Sequence, residues 1–272
     1  MQEINERELQ KLQIQILDVT AEFCEKKGIR YWLTAGTLLG AVRHNGYIPW
    51  DDDIDIGMLR PDFDRFIREF NSYTDRYEVK CIDTDPDFCL AFAKVLDKQT
   101  ILYEPDEKGI KLAVYIDVFV YDNVPANPIV IKKMYILRDF WRDCNLLRTK
   151  DFEPLRNRLT KAFIGFLRIL VKPFPRNFFA LGWSKHAKKY SKTDTKFIGD
   201  FTGYGKMVCD ISIFDELDEH EFEGKTYKIP KGYDQWLTRR YGDYMRLPPA
   251  EKRVSTHRFK AYYKDSAPSS ES

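Results

Sequence analysis

No two of the five cysteines (Cys24, Cys81, Cys89, Cys144 and Cys209) stand at CxxC spacing, and their number is odd. That favours reduced thiols in a cytoplasm over a disulfide framework or a zinc site. No apolar run reaches the roughly 20 residues that a bilayer span needs. The longest, Ala162 to Val171, is interrupted by Arg168. The start, MQEINERELQ, has no basic segment followed by an apolar one, so no secretory signal is expected. Charge of one sign is lacking too. Lysine plus arginine exceed aspartate plus glutamate by two, so net charge names no partner. Internal repeats and helix-turn-helix, zinc-finger or RNP signatures are also missing, which argues against nucleic acid.

The sequence does have apolar residues for a core. Of its 272 residues 43% are hydrophobic and 15% aromatic, enough for one large domain or two small ones. Leu9, Leu12, Ile16, Val19 and Phe23 recur at helical spacing and predict a helix ending near Gly28. IRYWLTAG reads as a strand, Thr37 to Arg43 as a short helix, and Asp53 to Leu59 as a strand. Pro61 then opens a helix with Phe63, Phe66, Ile67 and Phe70 inward. Further strands are expected at 77–82, 91–96, 101–104 and 113–121, and mostly helix from Pro128 to about Tyr190. The outline is α+β: a catalytic core over 1–125, a helical and mixed part over 126–265 that completes the site, and a disordered tail over 266–272.

The most informative stretch is GTLLGAVRHNGYIPWDDDIDIGM. Four of the five residues from Asp51 to Asp55 are aspartates, interleaved with isoleucine. On a strand Asp53 and Asp55 project to one side while Ile54 and Ile56 face the core. Two carboxylates that close repel unless a cation lies between them, and hard oxygen ligands suit Mg²⁺, with Mn²⁺ as the alternative. Asp117, alone in the apolar strand AVYIDVFVYD, is the third candidate. Gly36 and Thr37 form either an ordinary turn or a helix N-terminus whose N–H groups meet a phosphate. Arg43 and His44 are either exposed at a helix end or two turns from that phosphate. Lys94 either snorkels from its apolar strand or contacts phosphate.

LTAGTLLGAVRHNGYIPWDDDIDIGMLRPDFDRF, the later YIDVFVYD and the C-terminal IPKGYDQWLTRRYGDYMRLPPAEKRVSTH together resemble the LicD family, the bacterial phosphocholine transferases related to fukutin and fukutin-related protein. The likeness runs from about Tyr31 to His257, with three motifs in order. It implies a nucleotidyltransferase-type mixed sheet flanked by helices, with Gly36 and Thr37 in the turn, Asp53 and Asp55 as the Asp-x-Asp pair, and Asp117 on the third strand. Where the family reads DIFPLD this chain reads DVFVYD, which leaves the role of Asp122 open. The implied reaction moves phosphocholine from CDP-choline to a hydroxyl of a teichoic acid, lipopolysaccharide or capsule precursor, on a lipid carrier. Asp117 is then a metal ligand or the base. Choline asks for aromatic faces, and Trp32, Tyr47, Trp50 and Tyr121 are the candidates. Arg253 and His257 would reach an anionic donor or acceptor, while Tyr241 to Pro249 reads as packing. The rival activity is nucleotidyl transfer with pyrophosphate release. Lastly, Lys150 to Lys196 carries twelve lysines and arginines against three acids, interleaved with aromatics. Its two readings are an amphipathic helix pair closing a second core and a peripheral contact with the anionic inner face of the cell membrane.

Overall fold

The computed structural model describes residues 1–103, 112–150, 158–253 and 259–264. The elements in chain order are β1 (Glu3–Ile4), α1 (Glu6–Lys27), β2 (Trp32–Leu33), α2 (Ala35–His44), β3 (Asp55–Leu59), α3 (Arg60–Glu69), β4 (Tyr77–Lys80), β5 (Ala93–Asp97), β6 (Thr100–Tyr103) and β7 (Tyr115–Asn123). There follow α4 (Pro128–Thr149), α5 (Arg158–Val171), α6 (Phe178–Ala187), β8 (Phe197–Asp200), β9 (Met207–Asp210), β10 (Leu217–Phe222), β11 (Lys225–Pro230), α7 (Tyr233–Tyr241) and β12 (Lys260–Tyr263). The fold is α+β, a mixed sheet flanked by helices.

Helix α1 forms where its spacing predicts. Asn5 and Glu8 close a reciprocal capping box at its start. Leu9, Leu12, Ile16 and Phe23 bury one face, and Gly28, at φ 60°, ends the helix in a left-handed turn. In α3, Pro61 occupies the first turn, Phe63 and Phe66 are buried, and Phe70 is buried just beyond the last residue. The expected strand IRYWLTAG shrinks to Trp32–Leu33 because α2 starts early, at Ala35. Ala35 sits at φ 47°, a left-handed turn that an L residue adopts only under strain.

The main sheet runs β2-β3-β7-β5-β4, with β8 paired to the far end of β7 and β9 to β8. Strand β3 is parallel to β7, while β5 is antiparallel to it. Val118 and Val120 turn to the buried core face of β7, and Asp117, Phe119 and Tyr121 turn to the other. The sequence reading missed β8 to β12. Strands β8 and β9 extend the sheet of the first half, and β12 lies between β1 and β6, so the C-terminal segment is built into the sheets rather than appended to them. Helices α4 and α6 pack on each other. Met134, Tyr135 and Ala187 close a second small core with Val124, Phe201 and Val208. Helix α5 contributes little to it: among its described residues only Val171 is buried.

Candidate active site

The sheet register assembles the acids. Asp55 on β3 lies directly beside Asp117 on β7, and Lys94 on β5 lies beside Asp117 on the other side. In-register neighbours share a face, so the row reads cation, carboxylate, carboxylate across three strands. Lys94 Nζ lies 2.6 Å from Asp117 Oδ1 and 3.3 Å from the centre of the Tyr115 ring. Lys94 is thus not a snorkelling lysine, since its ammonium ends in the interior. It is the buried partner of Asp117. Asp53 lies just before β3 rather than on it, and still opens into the cavity that Asp55 and Asp117 line.

That cavity holds about 200 Å³. Its floor is Asp53, Asp55 and Asp117, its walls include Phe92, Phe119, Tyr121, Tyr204 and Trp236, and Arg240 and Asp200 stand at its side. Burial, then repulsion from Asp53 and Asp117, holds the Asp55 carboxyl well above the usual carboxylate range, against the pull of Lys94. Burial also raises Asp200, whose Oδ1 accepts the N–H groups of Thr202 and Gly203. The donor set is all oxygen, which suits a hard cation such as Mg²⁺ or Mn²⁺ better than zinc. Among the described residues no three of these side chains converge into a ready-made metal cage.

Helix α2 starts at the cavity edge, where Thr34 and Ala35 line it. Thr34, the N-cap residue, shares a hydrogen bond with the Tyr121 hydroxyl at 2.8 Å, and its side chain caps no helix N–H. Thr37 is buried, and its Oγ1 accepts the Asp55 N–H at 2.8 Å, so it positions an aspartate. A side chain at Gly36 would stand 2.5 Å from Asp51 Oδ2. Glycine there lets the acidic segment fold back onto α2.

Other candidates gather elsewhere. Arg43, Trp50 and Arg253 line a second cleft of about 610 Å³ with Tyr241, Tyr244 and Arg246. Arg43 donates to the Tyr244 carbonyl at 2.7 Å, and Arg253 lies 5.7 Å from the Trp50 ring centre. His44 sits beside Trp50, its basicity lowered by burial and by Arg43. Consecutive residues at the end of α7 line the two cavities, Arg240 the first and Tyr241 the second. Burial lifts the Tyr241 hydroxyl, and Asp55 and Asp51 add to the rise. Two aromatic candidates are in neither cavity. Trp32 is fully buried between Tyr121 and Phe214, and Tyr47 packs on Phe222 with its hydroxyl donated to Gln13. His257 lies outside the described residues. Asp122 points to the opposite face of β7 from Asp117, where Arg60 grips both its oxygens at 2.8 and 2.7 Å. Its place is structural.

A family model described as LicD/FKTN/FKRP, nucleotidyltransferase domain, matches residues 28–158. The lipopolysaccharide cholinephosphotransferase LicD of Haemophilus influenzae is 33% identical over 96% of this chain and 99% of its own length. The chain belongs to the LicD family. An uncharacterized Rickettsia typhi protein is 27% identical over 76% of this chain and 65% of its own. The human ribitol 5-phosphate transferase FKRP is 55% identical over 38 residues, 14% of this chain and 8% of its own.

Membership in the LicD family accounts for the first-half motifs. The sequence reading missed the second-half residues that wall the same cavity: Asp200, Tyr204, Trp236 and Arg240. A signal was present for two of them. Asp200 precedes a glycine-rich turn in FIGDFTGYG, and Arg240 falls inside LTRRYGDY. Neither carries its partner with it in the chain.

Proposed function

We propose that this LicD-family enzyme transfers phosphocholine from CDP-choline to a hydroxyl of a cell-surface glycan precursor. Family membership supports the coarser statement, movement of a phospho-substituent onto a glycan. The observation that carries the finer one is the in-register pair Asp55 and Asp117, with Asp53, under aromatic walls in one small cavity. Such walls suit a quaternary ammonium, and Tyr121, Phe119 and Trp236 line the cavity together with the acids. A divalent ion on Asp53 and Asp55 would neutralise charge on the diphosphate and on departing CMP. Mg²⁺ takes only one or two carboxylates beside waters and phosphate oxygens, so no closed cage is required.

This chain's own groups do the rest. The N-terminus of α2, whose N-cap side chain is engaged elsewhere, and the Arg240 guanidinium offer donors to the phosphates. Arg43, Arg246 and Arg253, with Trp50 for stacking, hold the nucleotide in the adjoining cleft. Asp117 accepts the proton of the acceptor hydroxyl as that oxygen bonds to phosphorus and the bond to CMP breaks. The acceptor is a lipopolysaccharide-type glycan on a lipid carrier, so the reaction takes place at the inner face of the membrane. The test is incubation with CDP-choline, Mg²⁺ and a lipopolysaccharide acceptor. Release of CMP with choline on the glycan is expected. Pyrophosphate release from CTP, with a nucleotide left on the acceptor, overturns the reading.

A further inference from the structure

We infer that the outward face of α4 and α5 is a membrane-binding surface that seats on an anionic bilayer. In a water-soluble chain, α5 should turn its apolar residues inward. Here Phe163, Phe166 and Ile169 leave 61%, 56% and 67% of their surface in solvent. Helix α4 does the same beside it: Ile136 and Phe140, one turn apart, are 56% and 53% exposed. The two helices are tied together, because Arg168 of α5 donates to the carbonyl of Lys150 at the end of α4 and Arg148 of α4 donates to that of Phe174 just beyond α5. Two neighbouring helices thus both leave several large apolar side chains in solvent, more than scattered surface hydrophobics would.

Charge decides what covers this face. Helix α5, RLTKAFIGFLRILV, contains no acid. Lysines flank the apolar residues in exposed positions, among them Lys132 and Lys133 on α4, Lys161 on α5 and Lys172 after it. A second copy of the chain would bring two such basic faces together, at a Coulombic cost. Anionic headgroups meet the lysines favourably while the aromatics enter the headgroup and acyl boundary. No helix among the described residues is long and apolar enough to cross a membrane, so the fitting geometry is a helix lying in the interface.

The position also serves catalysis. On its inner side α4 carries the loop that walls the acidic cavity. Arg138 donates to the carbonyls of Gly203 and Gly205, Arg142 lies over the Tyr204 ring, and Asp139 pairs with Lys206. Seating α4 on lipid therefore holds the cavity close to an acceptor borne on that lipid. The surface itself does not depend on which phospho-group is moved, and its test contains no substrate, so its failure would leave the transferase reading intact.

The full chain is centrifuged with phosphatidylcholine vesicles, with and without phosphatidylglycerol. Pelleting is expected with the anionic vesicles and should weaken as salt is raised. Two double variants follow, Phe163→Glu with Phe166→Glu, and Lys161→Glu with Lys172→Glu. All four sites are exposed, and circular dichroism checks that each variant keeps the native fold. Each is expected to bind about tenfold less. Equal recovery in the supernatant with and without phosphatidylglycerol overturns the proposal, as does equal pelleting of wild type and variants. A dimer that the phenylalanine variant dissolves, without any vesicle binding, assigns the face to a second copy and overturns it too.

Discussion

At the scale of single residues the cavity is a problem in charge. Asp55 is buried among carboxylates, so the folded chain holds its proton more tightly than the unfolded chain does. Stability therefore falls as pH rises from the unfolded value of ~4 towards the raised folded one. Asp55→Asn removes that fall. In EDTA its melt should exceed that of the wild type at neutral pH by about 1 kcal/mol, with the gap closing at acid pH. Turnover in Mg²⁺ should drop roughly a thousandfold. A stable and fully active variant removes Asp55 from the metal site. Lys94 gives the converse experiment. Lys94→Met strips Asp117 of a buried partner and should cost about 3 kcal/mol without metal. Mg²⁺ should then raise the melting temperature more in the variant than in the wild type, because a second cation replaces the first. Equal shifts would separate Asp117 from the metal.

At the scale of elements, β7 serves two faces at once. Its odd positions supply Asp117, Phe119 and Tyr121 to the cavity, and its even positions supply Val118, Val120 and then Asp122 to the packed side. There Asp122 fixes the start of α3 through Arg60. Asp122→Ala leaves the buried Arg60 guanidinium with only the half-exposed Asp64, at 3.4 Å, and should destabilise the fold by about 3 kcal/mol in urea titrations. Activity measured well below the melting temperature should stay within a few fold of wild type. A variant of native stability that is inactive would make Asp122 catalytic instead. The two aspartates face opposite sides of the sheet because they stand an odd number of residues apart on one strand.

At the scale of the whole molecule, the site closes only because the chain returns. Strands β8 and β9 add to the sheet and bring Asp200 to the cavity, and α7 brings Trp236 and Arg240. Arg240→Gln removes the guanidinium proposed to meet the donor phosphates. It should raise the donor KM about tenfold or more, with kcat reduced less and the melting temperature little changed. An unchanged KM in steady-state assays would give Arg240 a packing role alone.

The sequence by itself determined the helices and strands whose periodicity is local, α1, α3 and β7 foremost. It also singled out the acids, because Asp53, Asp55 and Asp117 violate the apolar pattern around them, and for Asp55 and Asp117 a strand's period of two says which way each one points. What it did not hold was register. That Asp55 lies beside Asp117, and that Lys94 pairs with Asp117, follows from hydrogen-bond pairing between strands up to 62 residues apart in the chain. Burial is equally non-local. Trp32 and Tyr47 have the right chemistry to hold choline, and the tertiary structure places them in the packing. Phe163 and Phe166 have the right chemistry for a core, and the tertiary structure leaves them in solvent. A side chain's type is written in the sequence, but what it faces depends on segments far along the chain.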